Sequence, residues 1–144
     1  PYWGYDMRRN LETAWDLHGH YSTDVFTSES VKIINNHNDT QPLFLYIAHG
    51  AVHSSNPYNL LPVPDATVEK FINLTGNYKR QKFASMLCKL DDSVGKIVDA
   101  LKNKSMLNDT VIIFSTDNGG PAAGYDGNYA SNYPLRGVKN TPWE

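Results

Sequence analysis

The chain has 144 residues, 40% of them hydrophobic and 19% charged, with a formal net charge of −2. That composition suits a globular domain with its own core rather than a disordered segment. The small negative charge excludes a general attraction to nucleic acid or anionic membranes, and no apolar run is long enough to span a bilayer.

Residues Pro1 to Asn10 are aromatic and polar without a period, and read as loop or as the tail of an element begun upstream. No initiator Met and no basic-then-apolar leader open the chain, so it reads as a piece of something longer. His18-Gly19-His20 offers two imidazoles, but no Cys or carboxylate at ligand spacing, which favours a polar turn over a metal site.

Ser22-Thr23-Asp24 predicts a helix start, its small oxygen-bearing side chains suited to accept orphan N–H groups. Val25, Phe26, Val31, Ile33 and Ile34 continue it to about Asn35 as an imperfect apolar stripe. Pro42-Leu43-Phe44-Leu45-Tyr46-Ile47 then predicts a buried strand. Beyond its end come His49 and His53. Gly50 argues against a helix that would pair them, so one histidine on a strand-end loop is expected to meet an anion or move a proton. Residues 56–64 carry Pro57, Pro62 and Pro64 and read as an irregular excursion.

A long helix is predicted from Tyr78 to Lys102. Phe83, Met86, Leu87, Leu90, Val94, Ile97, Val98 and Leu101 step by three and four along one face. Asp91 and Asp92 diverge by about 100° on such a helix and read as solvated surface rather than a carboxylate pair. Cys88, the single cysteine, lies in this apolar pattern and reads as a buried inert thiol.

Val111-Ile112-Ile113-Phe114 predicts a second buried strand, ending in Asp117-Asn118-Gly119-Gly120. Ligands of open α/β sheets bind beyond strand carboxyl ends, and a carboxylate beside an amide oxygen suits a hard divalent cation. A plain Asp-Asn-Gly turn is the alternative. Strand, excursion, long helix and strand together predict a crossover unit of a parallel sheet, an α/β fold. Arg136 and Lys139 follow as two cations near that tip, suited to a sulfate or phosphate oxyanion. No repeat, low-complexity tract or linker interrupts the chain.

Four Asn-x-Ser/Thr sequons, at Asn38, Asn73, Asn103 and Asn108, are candidate glycosylation sites. Together they point to the secretory pathway, with a lysosomal or extracellular destination.

Tyr21-Ser22-Thr23-Asp24 with Phe26-Thr27, Pro42 to Tyr46 with Val52-His53, Leu90-Asp91 with Val94-Gly95, Phe114 to Gly120, and Pro134-Leu135-Arg136-Gly137 with Lys139 and Trp143-Glu144 together resemble the sulfatase family, closely its arylsulfatase B-like branch. The resemblance covers nearly the whole chain. It implies part of an alkaline-phosphatase-like α/β/α sandwich with a mainly parallel sheet. Residues 1–144 would be a segment of the N-terminal catalytic domain, without the nucleophile segment or the C-terminal subdomain.

By the same resemblance Asp117 and Asn118 match two Ca²⁺ ligands, and Asp117 also helps activate the nucleophile. His53 and Lys139 match groups that contact the sulfate. The implied chemistry is hydrolysis of sulfate esters, on a sulfated small molecule or glycan, by a hydrated formylglycine made from Cys in C-x-P/A-S-R. That motif is absent here, since Cys88 is followed by Lys89-Leu90-Asp91, and the family's N-terminal aspartate pair is absent too. The isolated chain is therefore expected to be inactive and poorly stable, with exposed sheet edges. Two other readings stay open: a non-catalytic remnant that binds anionic or sulfated ligands, and a phosphate or phosphonate ester hydrolase of the same superfamily. Oligomeric state is not legible.

Overall fold

The computed structural model describes residues 4–73, 75–122 and 127–143. Two long helices dominate it, and they run in the same direction, since Asp24, Thr27 and Ile34 of the first meet Lys89, Ser93 and Leu101 of the second in turn. α1 spans Ser22–Asn36 and α3 spans Tyr78–Asn103, with the short α2, Asp65–Val68, between them. Both long helices lie within a residue of the ranges their periodicity predicts.

α3 begins as sequence chemistry suggests. Asn77 caps it, its side-chain oxygen accepting the Arg80 N–H at 3.1 Å. The start of α1 differs from expectation. Tyr21 is its cap residue and makes no side-chain capping bond, and the Thr23 hydroxyl is buried without a partner. Asp24 instead pairs with Lys89 of α3 at 2.6 Å, while its position in the first turn still favours the helix dipole. An interhelical ion pair has taken the residue that could have served the cap.

The seam between α1 and α3 is more polar than the apolar stripes imply. Thr23, Thr27 and Ser30 of α1 and Ser93 of α3 are buried, as are Gln81 and Ser85, which face the 67–75 segment instead. Thr27, Ser30 and Ser85 turn their hydroxyls back to the carbonyls of Thr23, Phe26 and Gln81, four residues earlier. Thr27 and Ser93 then meet across the seam at 2.6 Å. Leu87 correspondingly lies half exposed, and Asp91 and Asp92 face outward as expected. Cys88 is half-buried rather than enclosed.

Two apolar clusters flank this seam. One joins Leu61 and Val63 of the proline-bearing excursion to Val68, Phe83 and Met86, with Val52, Leu60 and Ala130 packed against it. The other joins Ile34 to Ala100 and Leu101, with Leu43, Leu45, Ile97, Met106 and Leu107 around them. The excursion is thus irregular in backbone but central to the core.

The two predicted strands carry the main correction. Among the described residues neither 42–47 nor 111–116 pairs in a ladder, so the parallel crossover is not formed here. Residues 42–49 still alternate as a strand does. Leu43, Leu45, Ile47 and His49 are half-buried against the helices, while Phe44 is 92% and Tyr46 81% exposed. Val111 and Ile113 are 87% and 86% exposed, so the second segment is not buried. An apolar strand is buried only when neighbours supply hydrogen bonds at its edges and cover on its faces. The described residues supply cover to one face of the first segment and to neither face of the second.

Near the N-terminus, residues expected to be loop form a small hairpin, β1 (Arg8–Arg9) with β2 (Glu12–Thr13), turning at Asn10 with φ of 54°. Arg9 fastens it, donating to Asp16 at 2.7 Å and to Glu29 of α1 at 3.2 Å. That partnership raises the Arg9 pKa and lowers that of Asp16, both at an exposed site. His18 packs its ring near Tyr5, and His18-Gly19-His20 forms a turn, with no cluster of three metal-ligating His, Cys, Asp or Glu among the described residues.

Candidate functional site

Three loops meet beside the first apolar cluster: 50–55, 117–120 and 128–139. The alternation along 42–49 turns His49 inward, its Nε2 3.2 Å from Ser93 Oγ in the helical seam. The Thr27 hydroxyl donates to the Thr23 carbonyl, so the Ser93 hydroxyl is left to donate to Thr27. His49 Nε2–H then donates to Ser93, and Nδ1 is a buried lone pair without a partner. Burial holds His49 below its usual pKa.

A turn closed by His53 N–H to the Gly50 carbonyl, at 2.9 Å, sends the next histidine elsewhere. His53 Nδ1 lies 2.6 Å from the Ser54 carbonyl oxygen, which can only accept, so Nδ1 carries the proton. Nε2 is then a lone pair. It faces the Lys139 ammonium at 3.3 Å, across 86 residues of sequence. The residue pattern leaves open which of two histidines serves a strand-end site, while the family resemblance points to His53. In the fold His49 meets Ser93 in the helical seam, and His53 faces Lys139.

Lys139 is half-buried and His53 exposed, so the pair opens to solvent on one side. Arg136, the other predicted cation, stacks over the Trp143 ring at 5.3 Å. The peptide bonds Ala51–Val52 and Tyr133–Pro134, one in each contributing loop, are cis.

Asp117 and Asn118 are exposed, in the second of these loops. Asn118 donates through Nδ2 to the Gly119 carbonyl at 2.7 Å, which leaves its Oδ1 as a free acceptor. Asp117 makes no hydrogen bond or ion pair to the described residues. One carboxylate and one amide oxygen from adjacent residues, neither bonded to another side chain among the described residues, fit part of the shell of a hard cation that takes 6–8 oxygen ligands. Gly120 ties this tip to the lysine loop: its carbonyl accepts the Lys139 N–H at 3.4 Å. The site of a Cβ on Gly119 lies 3.7 Å from the Lys139 nitrogen. So the loops that carry all four predicted site residues converge, with the His53–Lys139 contact direct and the Asp117-Asn118 tip joined through backbone.

The sequence did not single out Asn128 or Asn132, which hold these loops by hydrogen bonds to main chain. Their only signal is position, a cluster of Asn and Gly between the metal-type tip and Lys139. Arg80 likewise donates to the Tyr129 carbonyl, fixing this segment to the start of α3.

The sulfatase family signature matches residues 2–144. The chain belongs to the sulfatase family. Arylsulfatase J of Mus musculus is 41% identical over 143 residues, 98% of this chain and 22% of that protein. An arylsulfatase of Hemicentrotus pulcherrimus is 32% identical, over 85% of this chain and 20% of the relative. N-acetylgalactosamine-6-sulfatase of Mus musculus is 29% identical, with shares of 85% and 21%. The chain thus spans about a fifth of the length of these sulfatases. Among solved structures, i-CgsB in complex with a neocarrahexaose superposes with a TM-score of 0.78 at 31% identity, over 94% of this chain and 28% of that one. This supports the alkaline-phosphatase-like fold expected from sequence. The parallel sheet itself is not formed among the described residues. None of the described helices is long and apolar enough to cross a membrane.

Proposed function

We propose that this chain supplies the oxyanion-binding and part of the metal-binding half of a sulfatase site that hydrolyses sulfate esters, on sulfated glycans by preference. The observation that carries the reading is the 3.3 Å approach of Lys139 Nζ to His53 Nε2. Two nitrogens that converge from distant loops, open to solvent on one side, are placed to grip one tetrahedral oxyanion. Arylsulfatase relatives and a glycan-bound structural neighbour point the same way.

In this reading Lys139 donates to a sulfuryl oxygen and neutralises charge that persists through the reaction. His53, protonated on Nε2 from solvent, delivers that proton to the alcohol oxygen as its S–O bond breaks, while the Ser54 carbonyl fixes the ring through Nδ1. Asp117 and Asn118 Oδ1 are two oxygens of a Ca²⁺ site, and their lack of other partners fits that use. When bound, the cation stabilises negative charge on the sulfuryl group. Asp117 would also assist a formylglycine nucleophile, which this chain does not encode. The exposed Asn38, Asn73, Asn103 and Asn108 are the glycosylation sites of a protein routed through the secretory pathway. The sequon at Asn73 runs through Leu74, which lies outside the described residues.

The test is aryl sulfate hydrolysis by the longest natural protein that contains this chain, with Ca²⁺ present. Lys139→Ala and His53→Ala should each cut kcat about 10²–10³-fold. The 144-residue chain alone should show no turnover. Full activity in either variant, or faster turnover of the matching aryl phosphate, would overturn the assignment.

A further inference from the structure

We propose that Asn128 and Asn132 are positioning residues that hold the His53 loop and the Asp117-Asn118 tip in register with Lys139. This deepens the reading of His53 and Lys139 as an oxyanion pair, and rests on it for its functional consequence.

Asn132 treats Gly120 as a strand neighbour would. Its Oδ1 accepts the Gly120 N–H at 2.7 Å and its Nδ2 donates to the Gly120 carbonyl at 2.7 Å. Only one orientation of the amide satisfies both bonds, so the side chain is fixed at both ends. The same carbonyl takes the Lys139 N–H. One glycine peptide is therefore held by Asn132 and by the lysine loop together, two residues from Asn118.

Asn128 lies four residues earlier on the same segment and is 3% exposed. Its Nδ2 donates at 2.7 Å to the carbonyl of Val52, the residue before His53. The stretch from Asn128 to Asn132 thus fastens both loops at once. It sits close enough to demand glycine opposite, since a Cβ on Gly120 would fall 2.4 Å from that of Ala130. Neither amide bonds to α1 or α3. Their bonds go to the main chain of the two loops whose relative placement sets the site, and a shift of ~1 Å in such a placement costs about 10² in rate.

The experiment labels the natural protein containing this chain uniformly with ¹⁵N and reads both the His53 ring and the backbone amides by NMR. The native ring should show a protonated Nδ1 and a lone-pair Nε2. Inorganic sulfate, titrated in, should shift both nitrogens. Asn128→Ala and Asn132→Ala should each perturb the native ring signals and weaken sulfate about tenfold, while the backbone amides of α1 and α3 keep their positions. Asn132→Asp keeps the acceptor for Gly120 N–H and loses the donor, and should fall between native and Ala.

Unchanged ring signals in both Ala variants would overturn the proposal. So would a collapse of the α1 and α3 amides in all three variants, which would assign these residues to fold stability alone. If native protein binds no sulfate, the oxyanion reading fails, yet the ring signals of the variants still decide whether the two asparagines set the geometry of His53.

Discussion

Met86 in α3 is 2% exposed, whereas Ile113, in a segment at least as apolar, is 86% exposed. The helix completes its own backbone hydrogen bonds and needs one packed face, which α1 and the 56–71 excursion supply. The segment at 111–116 must borrow hydrogen bonds from strands on either side and cover on two faces. A helix can be judged locally; a central strand cannot. The difference also explains the site. Its loops are anchored through Val52 and Ala130 to the well-packed end of α3, although of the segments that lead into them one is covered on a single face and the other on neither.

The contrast is broken most directly by truncating one side chain in each region. Phe83→Ala should cost about 3–5 kcal/mol in urea unfolding, because its ring is buried in the apolar cluster. Phe114→Ala should cost under about 0.5 kcal/mol in the same 144-residue chain, since it removes an already solvated ring. Equal costs would show that the 111–114 segment is packed in solution.

Gly120→Ala comes next, at about 1–3 kcal/mol for the forced displacement against Ala130. Ala130→Gly in the same molecule should recover most of that loss. Failure to recover would place the strain elsewhere than in this close approach.

Thr27→Val keeps shape but takes away the acceptor of the Ser93 hydroxyl at the polar seam, and should cost about 1–2 kcal/mol by thermal unfolding. A neutral result would mean that the seam is held by packing rather than by its hydroxyls.

The smallest effect is one of pH. His49 is held below its ordinary value of 6.5 by burial, so the unfolded chain binds its proton more readily. Its contribution to stability is full above pH 6.5 and is lost as pH falls through and below that value. His49→Gln should flatten this part of the melting temperature against pH, and an unchanged slope would assign the acid sensitivity to other groups.

Much of the candidate site was legible as residue types at strand ends. Asp117 and Asn118 were visible because a carboxylate and an amide follow an apolar run and precede two glycines. Lys139 was visible as a cation shortly after them, and His53 as one of two candidate histidines. The choice between His49 and His53 was not local. It depends on the inward phase of the 42–49 segment and on the turn after it, which aims one ring at Ser93 and the next at Lys139. The clamps at Asn128 and Asn132 were hidden for a related reason: asparagine in a Gly-rich stretch reads as turn chemistry, and only the folded chain shows which main-chain groups its amide meets.

By itself the sequence determined the two long helices, because their period of three and four is written in consecutive side chains. It also determined family membership, through blocks spread over nearly the whole chain. Tertiary structure alone decided which apolar stretches are covered, how α1 pairs Asp24 with Lys89, and how closely His53 approaches the lysine. Those outcomes depend on contacts between residues tens of positions apart, and no local pattern encodes the distance between Lys139 and His53.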